Sequence, residues 1–271
     1  MYRYAFVLFA ALTVSAGSVS AASYQMKNGS IVDPIQNTYG GDSAYSGNNL
    51  EPSADLQSAN LDYANLSNAY LYDANLSNAN LSNANLSSAL LYQANLRNGN
   101  LSNADLYNAN LRYATMTSSD LSYSNLSNAD LSYADLSGAN LNNAYLRYAY
   151  LTGAYLSNAN LNNAYLRYAY LGDADLIGAL LFGANLEYAN LRNALLHSAN
   201  LDGAIKLHTA TWTGAKYSLN AVDNSGNPIP DTIFPDGFDP IAYGMIPVPE
   251  PGTALLVGLG LIGLGVRRRA S

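Results

Sequence analysis

The sequence predicts an all-β fold, a four-sided parallel β-solenoid over residues 54–204. Three observations predict it. Leucine recurs every five residues from Leu56 to Leu201, with Met116 the only substitution among 30 positions. Alanine stands two residues before each, apart from Gly99, Ser119 and Ser124, and Asn or Asp usually fills the place between, giving Ala-(Asn/Asp)-Leu-x-x without an insertion. The eleven residues LNNAYLRYAYL at 141–151 recur unchanged at 161–171, a duplication by 20 residues, or four such units.

In chain order, the first 22 residues read as a secretory signal helix. Arg3 supplies a positive start, Ala5 to Leu12 an apolar run, and Ser18 to Ala22 the small residues of a cleavage site, after Ala21 or Ala22. The run is shorter than the roughly 20 apolar residues a spanning helix needs. Residues 23–53 form a lead-in. Its Gly40 to Ser53 stretch is rich in Gly and Asn, and Leu50 is one residue out of phase with Leu56.

The five-residue step excludes ordinary elements in the repeat. On an α-helix each leucine would lie about 140° round from the last, and on a straight strand successive leucines would alternate between faces. All of them share one interior only if the chain turns a corner in every unit, with Ala and Leu pointing inward together. Tyr72 with Tyr92, Tyr113 with Tyr133, and Tyr148 with Tyr168 and Tyr188 recur at 20 residues, so four sides per coil are expected. Thirty units then make about 7.5 coils, or about 36 Å at the roughly 4.8 Å spacing of hydrogen-bonded strands. Over these 150 residues the chain resembles the pentapeptide-repeat family, which implies a right-handed quadrilateral β-helix. Each coil fills its own bore and rests on its neighbours, so function belongs on the outer faces, the ends or the tail.

An open solenoid end invites edge-to-edge association unless it is covered. After Ala204 the register slips by one residue and resumes as Ala210-Thr211-Trp212 and Ala215-Lys216-Tyr217, with large aromatics where leucine stood. Residues 205–247 therefore read as a cap and tail. The segment from Asp231 to Met245 resembles the Thr-x-Phe-Pro-x-Gly-Phe-Asp-Pro tail often found after bacterial arrays of this kind.

Residues 248–271 have three parts: Pro249-Glu250-Pro251, an apolar stretch from Ala254 to Val266 with four glycines, and Arg267-Arg268-Arg269. They read as an extended break, a short membrane helix and a positive cluster held on the cytoplasmic side. Thr253 to Val266 would span about 21 Å, less than the roughly 30 Å hydrocarbon core, which suits transient retention. The order of the three parts resembles the PEP-CTERM sorting signal. That resemblance implies export machinery and an exosortase as transient partners, cleavage near the triplet, passage through the inner membrane, and delivery to the cell surface or an extracellular polysaccharide matrix.

Composition limits the chemistry. The 271 residues contain no cysteine, two histidines and one tryptophan, but 23 tyrosines. No thiolate nucleophile, disulfide or cysteine-ligated metal is possible. His197 shares its outward column with Ile177 and with no second histidine, and His208 falls in the register slip, so no catalytic residue, metal site or cofactor is expected. Asp231, Asp236 and Asp239 offer carboxylates to calcium but lack EF-hand spacing, and turn chemistry around Pro235 and Gly237 explains them equally. The net charge of −7 repels nucleic-acid phosphate, so no nucleic-acid partner is expected.

Three function classes follow. Some cytosolic members of the resembled family mimic DNA and inhibit type II topoisomerases; the 11 acidic and five basic residues in 54–203 allow this, but two export signals oppose it. A secreted enzyme is disfavoured by the residue inventory. A non-enzymatic structural or adhesive protein of the surface or matrix fits the address best, with calcium or polysaccharide binding as a variant. Its candidate contact face is the tyrosine strip of the later coils: Tyr145, Tyr148 and Tyr150 above Tyr165, Tyr168 and Tyr170, with Arg147 and Arg167 between. Ring and hydroxyl together suit a polysaccharide or self-association.

Overall fold

The computed structural model describes residues 24–25, 31–32, 52–218 and 231–248. Near the N-terminus, β1 (Tyr24–Gln25) pairs antiparallel with β2 (Ile31–Val32). The expected signal helix, most of the lead-in, and the whole of Pro249 to Arg269 lie outside the described residues. No helix among the described residues is long and apolar enough to cross a membrane.

From residue 52 the chain winds as a solenoid with a 20-residue coil. Parallel bridges join Asp55 to Asn75, Asn60 to Asn80, and so on without interruption to Asn185 with Ile205. Each bridge is a single residue rather than a strand, because a corner intervenes in every unit. The unit 124–128 shows how. Leu126 N–H donates to Tyr145 C=O (2.7 Å), Asn128 N–H to Arg147 C=O (2.9 Å) and Asn125 N–H to Ala104 C=O (2.9 Å), so the backbone pairs with the coils on both sides. Ala129 N–H closes the corner on Leu126 C=O (3.0 Å).

That corner is a β-turn whose third residue has positive φ, the requirement of a type II turn. The position recurs every five residues and is filled mainly by Asn, Ser and Gly, of which Gly and Asn enter the left-handed region at least strain. Seven tyrosines occupy it as well, among them Tyr123 (φ 59), Tyr148 (φ 59) and Tyr168 (φ 60).

The pattern leaves one backbone donor per unit unused, the N–H just after leucine. The Asn or Asp just before the leucine accepts it. Asn125 Oδ1 takes Ser127 N–H (3.2 Å), Asp130 Oδ1 takes Ser132 N–H (3.0 Å), and Asn200 Oδ1 takes Asp202 N–H (2.9 Å). Every Asn or Asp at this position between 55 and 200 makes the equivalent bond, which is the physical reason for the motif's middle letter. Amide ladders add to it, as where Asn95 Nδ2 donates to Asn75 Oδ1 (3.3 Å). Removing the acceptor with Asn95→Ala should cost about 1 kcal/mol, because Arg97 N–H loses its partner, while Asn95→Asp keeps that bond and should cost less. Equal shifts of the urea midpoint in the two variants would assign the effect to the ladder instead.

The bore is filled by the leucine and alanine columns, all buried except Ala59 in the first coil, which is partly buried. Met116 takes a leucine place at 0% exposure. Ser119 and Ser124 fit alanine places because their hydroxyls donate to Met116 and Leu121 C=O, both at 2.7 Å.

At the C-terminal end one extra residue is absorbed locally. Lys206 falls where the next leucine belongs, takes φ 64, and hands the inward direction to buried Leu207 at the start of a 3₁₀ turn, Leu207–Thr209. Ladder offsets then become 21, Asn190 with Thr211 and Leu195 with Lys216. The tail returns to the stack: Ile233 pairs with Asn200, and β4 (Ile246–Val248) runs parallel to β3 (Lys216–Ser218). Trp212 and Tyr217 point inward, with Phe238 packed edge-on to Trp212 (5.9 Å) and Phe234 to Tyr217 (5.5 Å).

Candidate functional site

With the bore filled, chemistry is confined to the outer columns. In the later coils tyrosine replaces Asn or Asp at 145, 150, 155, 165 and 170. Each replacement gives up a backbone bond: among the described residues no side chain accepts the N–H of Arg147, Thr152, Ser157, Arg167 or Gly172. Tyr148, Tyr168 and Tyr188 add positive φ at the adjoining corner. Backbone hydrogen bonding therefore does not explain these tyrosines.

The rings form three ladders. Tyr145 stacks on Tyr165 (4.8 Å, 3°), Tyr150 on Tyr170 (5.0 Å, 4°), and Tyr168 on both Tyr148 (5.0 Å) and Tyr188 (5.0 Å). The first ladder lies on one side of the solenoid, the second on the next, and the third on the corner between. Arg147 and Arg167 lie over their neighbours Tyr148 and Tyr168 at 4.8 and 4.9 Å, a cation–π arrangement. Arg167 also pairs with Glu187 (2.8 Å), a partner one coil on that the sequence reading overlooked although its 20-residue spacing was legible. Stacking uses the ring faces between coils. Edges and hydroxyls remain outward, and only rings at the ends of a ladder keep an open face.

One such face borders a groove. Where the Tyr150 ladder ends, a groove of about 330 Å³ runs along the earlier coils beside the same corner. Ser88, Asn108 and Asn128 form one wall, Asn110 and Asp130 the other, Ala109 and Leu90 the floor, and Tyr150 the end. Asn108 Nδ2 donates to Ser88 Oγ (3.2 Å), leaving its Oδ1 free to accept. Asn110 Oδ1 accepts Arg112 N–H (3.2 Å), leaving its Nδ2 free to donate. The amide ladder is broken in this column because Leu90 precedes Asn110 and has nothing to accept with. Sequence reasoning missed the groove, although the break at Leu90 was its signal.

The histidines and the tail carboxylates do not assemble. Burial, then Lys216, lower the pKa of His197, with Asp175 opposing, and His208 is exposed in the 3₁₀ turn. Asp231, Asp236 and Asp239 are exposed, and Asp239 Oδ1 accepts Ile241 N–H (3.0 Å) as a turn residue. No group of three or more His, Asp or Glu side chains placed to hold a metal occurs among the described residues. Pro249, Glu250, Pro251, Arg267, Arg268 and Arg269 lie outside the described residues.

Comparison with known proteins follows the same division. The family model for pentapeptide repeats matches in eight copies over 53–87, 84–122, 124–163, 144–181 and 174–205, and that for the PEP-CTERM protein-sorting motif matches 247–269. No curated protein matches. Among solved structures, HetL, a pentapeptide repeat protein involved in heterocyst differentiation regulation from the cyanobacterium Nostoc, is 34% identical over 66% of this chain and 89% of its own, with a TM-score of 0.22. QnrB1, a plasmid-mediated fluoroquinolone resistance protein, is 18% identical over 77% and 98%, with a TM-score of 0.34. A pentapeptide repeat protein of the Arabidopsis thaliana thylakoid lumen is 24% identical over 48% and 72%, with a TM-score of 0.25. The matched repeats cover more than half of the residues, and the chain belongs to the pentapeptide-repeat family and carries a PEP-CTERM sorting motif.

Proposed function

We propose that the protein is a non-enzymatic structural rod of the cell surface or extracellular polysaccharide matrix, delivered there by an exosortase. The observation that carries this reading is the joining of a sorting motif at 247–269 to a solenoid whose bore is filled from Leu56 to Leu201. A filled bore offers a rigid, sparsely charged surface in place of an active-site cavity. In this reading residues 1–22 are the export signal, 23–53 a lead-in, 54–204 a right-handed solenoid, 205–247 its cap and 248–271 a sorting segment that crosses the inner membrane transiently. Tyr145, Tyr148, Tyr150, Tyr165, Tyr168 and Tyr170, with Arg147 and Arg167, form the side of the rod that meets the matrix, and a second solenoid is the competing occupant.

Fractionation of cells with and without the sorting enzyme tests the address. With the enzyme, mass spectrometry of surface material should recover peptides through the repeat and none containing Arg267 to Arg269; without it, the intact chain should stay in the inner membrane. Recovery of the arginine tail from the surface pool would overturn cleavage, and an unchanged distribution in the absence of the enzyme would overturn the sorting.

A further inference from the structure

We propose that the groove ending at Tyr150 is a binding site for a neutral glycan. The inference rests on the matrix reading above and gives it a location that shares only Tyr150 with the tyrosine strip. The end wall is a flat ring held in one orientation, because Tyr170 stacks on its other side at 5.0 Å and 4°. A fixed aromatic face of this kind takes the apolar C–H face of a pyranose ring.

The walls supply what the hydroxyls of such a ring need. Asn110 Nδ2 and Asn128 Nδ2 have no acceptor among the described residues and are available donors. Asn108 Oδ1 is an available acceptor, and the Asp130 carboxylate, which takes Ser132 N–H on Oδ1 (3.0 Å) and lies 3.9 Å from Arg112 Nε at Oδ2, keeps lone pairs for a further donor. Donors and acceptors on facing walls match a ligand whose every hydroxyl both gives and receives a hydrogen bond. No Lys or Arg lines the groove, and the nearest cation, Arg112, is already paired with the lining carboxylate Asp130 (3.9 Å), so a phosphate, sulfate or uronate would find no free positive charge there.

The backbone explains why the groove lies here. Over most coils bearing Asn on Asn, amides are consumed in ladders, as at Asn100 on Asn80 (3.2 Å). In the column of Leu90, Asn110, Asp130 and Tyr150 no two successive residues can form that bond. The column therefore leaves Asn110 Nδ2 for a ligand.

Affinity electrophoresis of the purified full chain in gels containing laminarin, hydroxyethylcellulose, galactomannan or alginate tests the site. At least one of the three neutral glycans should retard the protein, and alginate should retard it less. Tyr150→Ala should weaken the retardation at least tenfold. Asn128→Ser, which places at this corner the residue that Ser88 already provides two coils earlier, should weaken it several-fold, and Tyr123→Ala, at an exposed ring remote from the groove, should leave it unchanged. Melting curves on the same samples confirm that the variants are folded. Absence of retardation by all three neutral glycans overturns the proposal while leaving the sorting result untouched. Retardation that survives Tyr150→Ala but is lost in Tyr145→Ala overturns the groove and leaves the matrix reading standing on the strip.

Discussion

Replacing Leu126 with Lys is expected to destabilise the solenoid by about 3–5 kcal/mol, whereas Ser127→Lys one residue later should be nearly silent. Leu126 is wholly buried in the middle of the stack, with leucine one coil away on both sides at Leu106 and Leu146. An ammonium there has no carboxylate to pair with, since every inward position within reach is Leu, Ala, Ser or Met. It also cannot escape by fraying, because coils lie above and below, and both sets of backbone bonds would have to open to admit water. Ser127 sits at the first turn position, the same place that Arg97, Arg112, Arg147, Arg167 and Arg192 occupy in other units without disturbing the ladder. Chemical denaturation followed by circular dichroism checks the pair. Similar losses at both positions would mean that the five-residue step does not separate inside from outside.

The solenoid was legible because its constraint is periodic. A leucine that must face the bore in every unit leaves a mark every five residues, and a coil of four units leaves one every 20, so the ladder from Asp55 to Ile205 could be anticipated residue by residue. What the period did not reveal was the local chemistry that maintains it. The period shows Asn or Asp as the usual middle letter of the motif but not the reason, which is that their side chains accept the backbone N–H two residues on. The left-handed corner was also hidden, since tyrosines such as Tyr148 occupy it alongside the expected Asn and Gly.

The tail was opaque for the opposite reason. Asp231 to Met245 has no period, and its role depends on a return across residues distant in sequence: Ile233 lies on Asn200, and Ile246 N–H donates to Ala215 C=O (2.7 Å). The groove escaped notice because it is a gap in a pattern. A single Leu90 in an Asn column looks like tolerated variation until the ladder it interrupts is seen.

Replacing Trp212 with Ala should remove about 3–5 kcal/mol from the C-terminal end of the stack while leaving its middle intact. Trp212 is the large side chain that closes the bore after the last leucine, 1% exposed, with its Nε1–H donating to Leu207 C=O at 2.9 Å. Phe238 packs against it and itself lies between Phe234 (5.3 Å) and Tyr243 (5.0 Å), so the indole is a main anchor of the tail beside the contact of Phe234 with Tyr217. Truncation leaves a cavity that the tail can fill only by releasing Ile233 and β4 from the coils beneath. In an array dominated by nearest-neighbour contacts that damage stays local. Hydrogen exchange at Thr211, Lys216 and Ile246, whose N–H groups bond to Ala189, Ala194 and Ala215, should accelerate by about two decades or more, since each decade corresponds to about 1.4 kcal/mol. Exchange at Asp120, Leu121 and Asn125 should not change, in contrast to Leu126→Lys, which should accelerate that middle set most. The newly open edge should also associate with others, giving concentration-dependent light scattering that Trp212→Phe, which retains a ring in the bore, largely avoids. Uniform loss of protection along the whole solenoid would show that the end is not an independent cap but part of one cooperative unit.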